Sequence, residues 1–243
     1  MQNQRHEIAR AEFVATSEGK RAYLAVPAGG GPFPGVLLFQ EAFGVNDYIQ
    51  SEVRRLAAHG YEAIAPDLFD GDTYSYAELE QVFARLTGLG TDGVLDHMRG
   101  ATAFLDGDAG VRHERYGAVG FCMGGRLSVL TALTLGERIA AAASFYGGGI
   151  APKEVRRWQP LLDRLPELQS ELLLIYGADD EGIAPDEHGR IAETLSREKK
   201  RYTISVYPGA PHGFASRDRD SYRPQQAEAA WLETLALFER TLK

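Results

Sequence analysis

The sequence predicts an α/β fold: a mostly parallel central sheet with helices on both faces, a three-layer sandwich. The first observation behind this is alternation, with short apolar runs of strand length trading places with longer helical patterns along the chain. The second is that several of these runs are apolar throughout, as in strands covered on both faces. The third is size, since 243 residues that are 44% hydrophobic and 25% charged suit one domain with one core. A single domain over residues 1–243 is therefore expected.

Each element has its own justification. Residues 12–26 read as a strand pair around the polar turn Ser17-Glu18-Gly19-Lys20, and 28–33 as a Gly/Pro connector. Gly35-Val36-Leu37-Leu38-Phe39 is a buried parallel strand. Asn46 can cap a helix reaching His59, with Gly60 ending it. Tyr61-Glu62-Ala63-Ile64-Ala65 is the next strand, stopped by Pro66. Helical patterns cover 77–86 and 92–105. The apolar Gly117-Ala118-Val119 then leads into a further helix. Strands follow at 140–145, 172–175 and 202–206, with helices at 186–196 and 225–242.

Composition excludes some functions. A net charge of −8 argues against nucleic acid or an anionic membrane surface as partner. The single cysteine excludes an internal disulfide and suits a reducing compartment, so a cytoplasmic protein is expected. Met1 to Glu7 carry no apolar signal-peptide core, and no run of about 18 apolar residues suggests a membrane span. No metal-ligand spacing is present, and Gly29-Gly30-Gly31 lacks the lysine of a phosphate loop, so neither metal nor cofactor is expected.

The chemistry concentrates at Gly120-Phe121-Cys122-Met123-Gly124-Gly125. A Gly-x-Cys-x-Gly pattern between a strand and a helix is a nucleophile elbow, with sulfur in place of the usual serine oxygen. A lone cysteine can also be a small buried hydrophobe, but the flanking glycines favour the elbow. Two other polar residues follow predicted strands: Asp180 in Tyr176-Gly177-Ala178-Asp179-Asp180, and His212 in Pro208-Gly209-Ala210-Pro211-His212-Gly213-Phe214. Active sites of such sheets lie at the carboxyl ends of strands, and nucleophile, acid, histidine is the α/β-hydrolase order. Asp179 competes for the acid role, though the spacing Gly177-x-x-Asp180 with Ile183 beyond favours Asp180. His6, His59, His97, His113 and His188 read as structural or surface residues, with His97 on a polar helix face beside Asp96.

These motifs, with Gln40-Glu41-Ala42-Phe43-Gly44-Val45-Asn46, Gly60-Tyr61 and Ala65-Pro66-Asp67-Leu68, resemble the dienelactone hydrolase (carboxymethylenebutenolidase) family of the α/β-hydrolase superfamily. The likeness runs from about Glu12 to Leu242. It implies an α/β-hydrolase fold and a Cys122 nucleophile served by His212 and Asp180. It also implies that Glu41 holds the resting thiol neutral and accepts its proton when substrate arrives. Backbone N–H groups of Ala42 and Met123 would form the oxyanion hole, with Gly44 and Asn46 shaping the loop. The resemblance makes Phe43, Arg217 and Arg85 substrate-binding candidates, the arginines for a substrate carboxylate. Arg217 lies one residue later than the family pattern, and residues 69–76 are short and acidic for a cap over an anion.

The expected function is hydrolysis of a lactone or small ester through a Cys122 thioester, by a monomer or small homo-oligomer. Two alternatives stand beside it. One is hydrolysis of another activated ester or thioester. The other is a non-catalytic protein using Cys122 as an oxidation sensor, which would need neither His212 nor Asp180.

Overall fold

The computed structural model of the protein describes residues 5–16, 19–153 and 158–243. Ser17 and Glu18 of the expected turn, and Met1 to Gln4, lie outside the described residues. The chain divides into two compact units, the first ending at Tyr116 and the second beginning at Gly117.

In the first unit, β1 (Ile8–Ala15) and β2 (Arg21–Pro27) form the expected antiparallel pair. β2 runs antiparallel to β4 (Glu62–Pro66), which runs parallel to β3 (Phe33–Phe39). The order is β1-β2-β4-β3. Both β3 from Pro34 onward and all of β4 are buried, as strands covered on both faces are, and the buried stretch of β4 includes the carboxylate of Glu62. Pro66 is the last residue of β4, not the first beyond it.

α1 (Asp47–Ala58) starts where the sequence places it, because Oδ1 of Asn46 accepts from the Ile49 N–H at 3.1 Å. α2 (Leu79–Thr87) begins two residues later than expected. The Glu78 carboxylate accepts from the Ser75 N–H at 2.7 Å, closing a tight turn that delays the helix. α3 (Thr91–Gly107) buries Val94, His97, Met98, Ala101 and Leu105. These positions are spaced as one helical stripe, so His97 faces the interior, not solvent as the sequence reading had it. Its Nδ1 bonds the Gly93 carbonyl at 2.8 Å and Nε2 lies 3.4 Å from Asp70.

β5 (Val111–Phe121) begins in the first unit and ends in the second. It is longer than expected because the exposed, charged Arg112, Glu114 and Arg115 disguise its first half. In the second unit β6 (Ile139–Phe145), β7 (Glu171–Gly177) and β8 (Tyr202–Tyr207) are parallel and adjacent in that order. α4 (Met123–Leu135) is buried on nearly every side, as its apolar sequence dictates. α5 (Pro185–Arg197) and α6 (Pro224–Leu242) both open with proline in the first turn, where no N–H is needed. Trp231 of α6 packs on Phe121 and Phe145, tying the ends of β5 and β6 together.

The turn from β5 into α4 sets the position of Cys122. Its N–H donates to the Phe145 carbonyl at 3.0 Å, and its own carbonyl accepts from Gly125 at 3.0 Å. The backbone there is forced to φ 54°, ψ −117°, a strained conformation for a residue with a side chain. Two glycines permit it. A Cβ on Gly120 would run into the Gly124 backbone, and one on Gly125 would lie 2.6 Å from the Phe145 carbonyl oxygen.

Gly120→Ala is therefore expected to destabilise the protein by about 2 kcal/mol or more, since the backbone it meets cannot move aside cheaply. Chemical denaturation measures this. A variant as stable as the parent would contradict the close-packed elbow.

Candidate active site

Three loops of the second unit bring three side chains together. Cys122 sits on the elbow after β5, Asp180 on the loop after β7, and His212 on the loop after β8. The two latter loops brace each other, with Ala178 N–H donating to the Tyr207 carbonyl at 2.9 Å and Asp179 N–H to Ala210 at 3.1 Å. Asp179 itself is exposed, whereas Asp180 is buried. The Asp180 Oδ1 accepts from the Gly182 N–H at 2.8 Å, which leaves Oδ2 aimed at His212 Nδ1, also at 2.8 Å. A carboxylate only accepts, so Nδ1 carries a hydrogen and Nε2 faces the sulfur. The Nε2 to Sγ distance is 3.1 Å.

This geometry alters the imidazole. Burial pulls its proton affinity down, but the charge of Cys122 and the bonds to Asp180 and Cys122 outweigh it. The His212 pKa is pushed up from 6.5 to about 10. The group is thus a cation at neutral pH when the sulfur beside it is a thiolate. Tyr146 closes one side, its ring edge-on to the imidazole with centroids 5.2 Å apart. Tyr146 follows β6 with φ 39°, a second strained residue, and its N–H donates to Ile175 at 2.7 Å. Its place directly after a strand and before Gly147 is its one trace in the sequence.

The first unit holds the other candidates. Glu41, on the loop after β3, is fully buried, and Tyr76 donates its hydroxyl to Oε2 at 3.1 Å. Phe43 is buried edge-on against the Tyr76 ring at 4.5 Å, and Ala42 between them is half-buried. Nothing in the local sequence marks Tyr76, which lies 35 residues from Glu41. Met123 is the first residue of α4, where N–H groups have no partner within the helix. Arg85 is drawn to Asp70 at 3.5 Å and Asp72 at 3.6 Å, and lies over the Phe69 ring. Arg217 is exposed on the loop that carries His212. Among the described residues no group of three or more His, Cys, Asp or Glu is placed to hold a metal ion, and no helix is long and apolar enough to cross a membrane.

Residues 21–242 match the Dienelactone hydrolase family. The chain belongs to that family. A Methylorubrum extorquens protein and a Synechocystis protein, both named "Putative carboxymethylenebutenolidase", are similar to it. The first is 34% identical over 86% of this chain and 73% of its own length. The second is 31% identical over 91% of this chain and 92% of its own length. Among solved structures, a chain titled "Putative Dienelactone Hydrolase" from Klebsiella pneumoniae superposes with a TM-score of 0.87 at 31% identity, covering 96% of this chain and 99% of that one. Pyrococcus horikoshii acylaminoacyl peptidase shares the fold alone, with a TM-score of 0.76 at 19% identity over 43% of its length. This member of the dienelactone hydrolase family is a hydrolase, with the α/β architecture that the element order predicted and the α/β-hydrolase fold that the family resemblance implied.

The raised pKa of His212 fixes the sign of its pH dependence. A folded-state value above the ordinary 6.5 means that the charged imidazole's stabilisation is complete below 6.5 and is lost as pH rises through about 10. Asp180→Asn removes the charge while keeping the shape. The His212 midpoint, read from imidazole NMR signals, should fall by roughly 1–3 pH units. An unmoved midpoint would contradict the account of the shift.

Proposed function

We propose that this dienelactone hydrolase family member cleaves a lactone or small ester through a thioester on Cys122. The observation that carries the reading is the line of hydrogen bonds from Cys122 through His212 to Asp180, at 3.1 and 2.8 Å, on a strained elbow. The family match supports treating the whole chain as one α/β-hydrolase domain, since it extends across both units.

The chemistry runs in two halves. The Cys122 thiolate attacks the carbonyl carbon, and the carbonyl π electrons move onto oxygen. The N–H groups of Met123 and Ala42 stabilise that oxyanion. The carbon–oxygen bond of the ester breaks, and His212 gives its Nε2 proton to the leaving oxygen. In the second half His212 takes a proton from water, whose oxygen attacks the thioester. The sulfur leaves as thiolate and a carboxylic acid is released. Asp180 stabilises the imidazolium in both halves and fixes the tautomer.

The family resemblance further assigns Glu41 the first proton transfer: it takes the thiol proton as substrate arrives, leaving a thiolate beside the His212 imidazolium, and it returns that proton to the sulfur once the thioester has been hydrolysed. The Sγ to Nε2 distance of 3.1 Å supports that paired state. The relatives named carboxymethylenebutenolidase support a lactone as substrate class. A cytoplasmic setting follows from the reading, because the one cysteine must stay a free thiol.

Cys122→Ala should lower hydrolysis of p-nitrophenyl esters and lactones by on the order of 10⁴-fold or more, with the fold retained. Alkylation of wild-type Cys122 should remove activity in step with labelling. Full activity in the alanine variant would refute the assignment.

A further inference from the structure

We infer that Tyr76 is a positioning residue for Glu41, and that residues 69–78 are the strap that holds the Glu41 loop in its working shape. This rests on the proposed role of Glu41. The strap is fastened to the loop at successive points. Immediately before the strap, Gln40 Oε1 accepts from the Leu68 N–H at 3.1 Å. The Tyr74 N–H donates to the Phe43 carbonyl at 3.1 Å. Gly44, at φ 82°, approaches the strap so closely that a Cβ there would run into the Asp72 carbonyl and lie 3.2 Å from the Thr73 Cα. Finally the Tyr76 ring packs on Phe43 and its hydroxyl reaches Glu41 Oε2 at 3.1 Å.

The far side of the strap is anchored by charge. Arg85 of α2 holds Asp70 and Asp72, and His97 of α3 meets Asp70. Asp67 at its base pairs with Arg21 at 3.1 Å. The acidic residues at 70 and 72 thus have internal partners. Their presence is explained by fixing the strap, without any need for a cationic substrate. The strap is exposed at 70, 71, 72, 73, 75 and 77, while the carboxylate it reaches is fully buried. Tyr76 therefore joins a solvent-facing segment to a buried group with a job to do.

The consequence is chemical. A hydroxyl donated to a carboxylate favours its ionised form and fixes its rotamer. A base that must accept a thiol proton needs both. Without the hydroxyl the carboxylate protonates at higher pH and its position is less defined, so turnover falls and is lost first on the acid side.

The test compares Tyr76→Phe, Glu41→Gln and the double variant in the full chain, with a p-nitrophenyl ester as substrate across a range of pH. Phenylalanine keeps the ring on Phe43 and deletes only the hydroxyl. The expected result is a kcat roughly tenfold lower in Tyr76→Phe, with little change in KM. Its acid limb should move up by roughly one pH unit, and the double variant should be no worse than Glu41→Gln. A general loss of folded protein would lower the rate without moving the limb. If Glu41→Gln is impaired but Tyr76→Phe behaves as wild type, or costs as much on top of Glu41→Gln as alone, this inference is overturned. If Glu41→Gln itself works at the wild-type rate, the Glu41 reading fails and takes the inference with it.

Discussion

Cys122 is held at φ 54°, ψ −117° between a strand and a helix, and the site in the second unit is arranged around that one backbone conformation. The strain is of the order of 1–3 kcal/mol for a residue with a side chain. It persists because the surroundings over-determine it. The N–H is taken by Phe145, the carbonyl is taken by the first turn of α4, and glycines at 120 and 125 let the backbones close. The result is a sulfur presented at the start of a helix, pointing toward the loops after β7 and β8. Relaxing the turn would swing Sγ away from His212, and the hydrogen-bonded line would have no first member.

Charge then completes what the backbone begins. Cysteine is a poor nucleophile as a thiol and a good one as a thiolate. Burial alone would keep the imidazole neutral, yet Asp180 behind it and the sulfur in front reverse that preference. Asp180 can do this because it is itself settled, with one oxygen on the Gly182 N–H and the other on His212. The strained Tyr146 beside the ring repeats the pattern, with a residue of unfavourable φ held in place by the hydrogen bond from its N–H to the Ile175 carbonyl.

Legibility in the sequence followed how local each determinant is. β3 is an unbroken apolar run, β4 and β6 are apolar apart from Glu62 and Ser144, and α1 is bracketed by Asn46 and Gly60, so these could be read directly. Cys122, Asp180 and His212 could be read because each lies just past a strand, in a loop with its own glycine or proline. The first half of β5 is hidden in the sequence because Arg112, Glu114 and Arg115 face out and break the apolar run that marks a buried strand. His97 was placed on the surface by its polarity and by Asp96, although its spacing from Val94 and Ala101 marks the buried stripe. Arg126 is buried despite its charge, because Gly149 and Gln159 offer it carbonyl oxygens from far along the chain. The Tyr76 contact with Glu41 has no sequence trace at all, since neither residue's neighbours specify the other.

The account stands on covalent chemistry at one sulfur, and that can be observed directly. The enzyme is mixed with a p-nitrophenyl ester, quenched in acid during turnover, digested and weighed by mass spectrometry. The account predicts a mass gain equal to the acyl group on the peptide containing Cys122, absent when Cys122 is replaced by alanine and accumulating when His212 is replaced. An acyl group carried elsewhere, or turnover with Cys122 never modified, would contradict it.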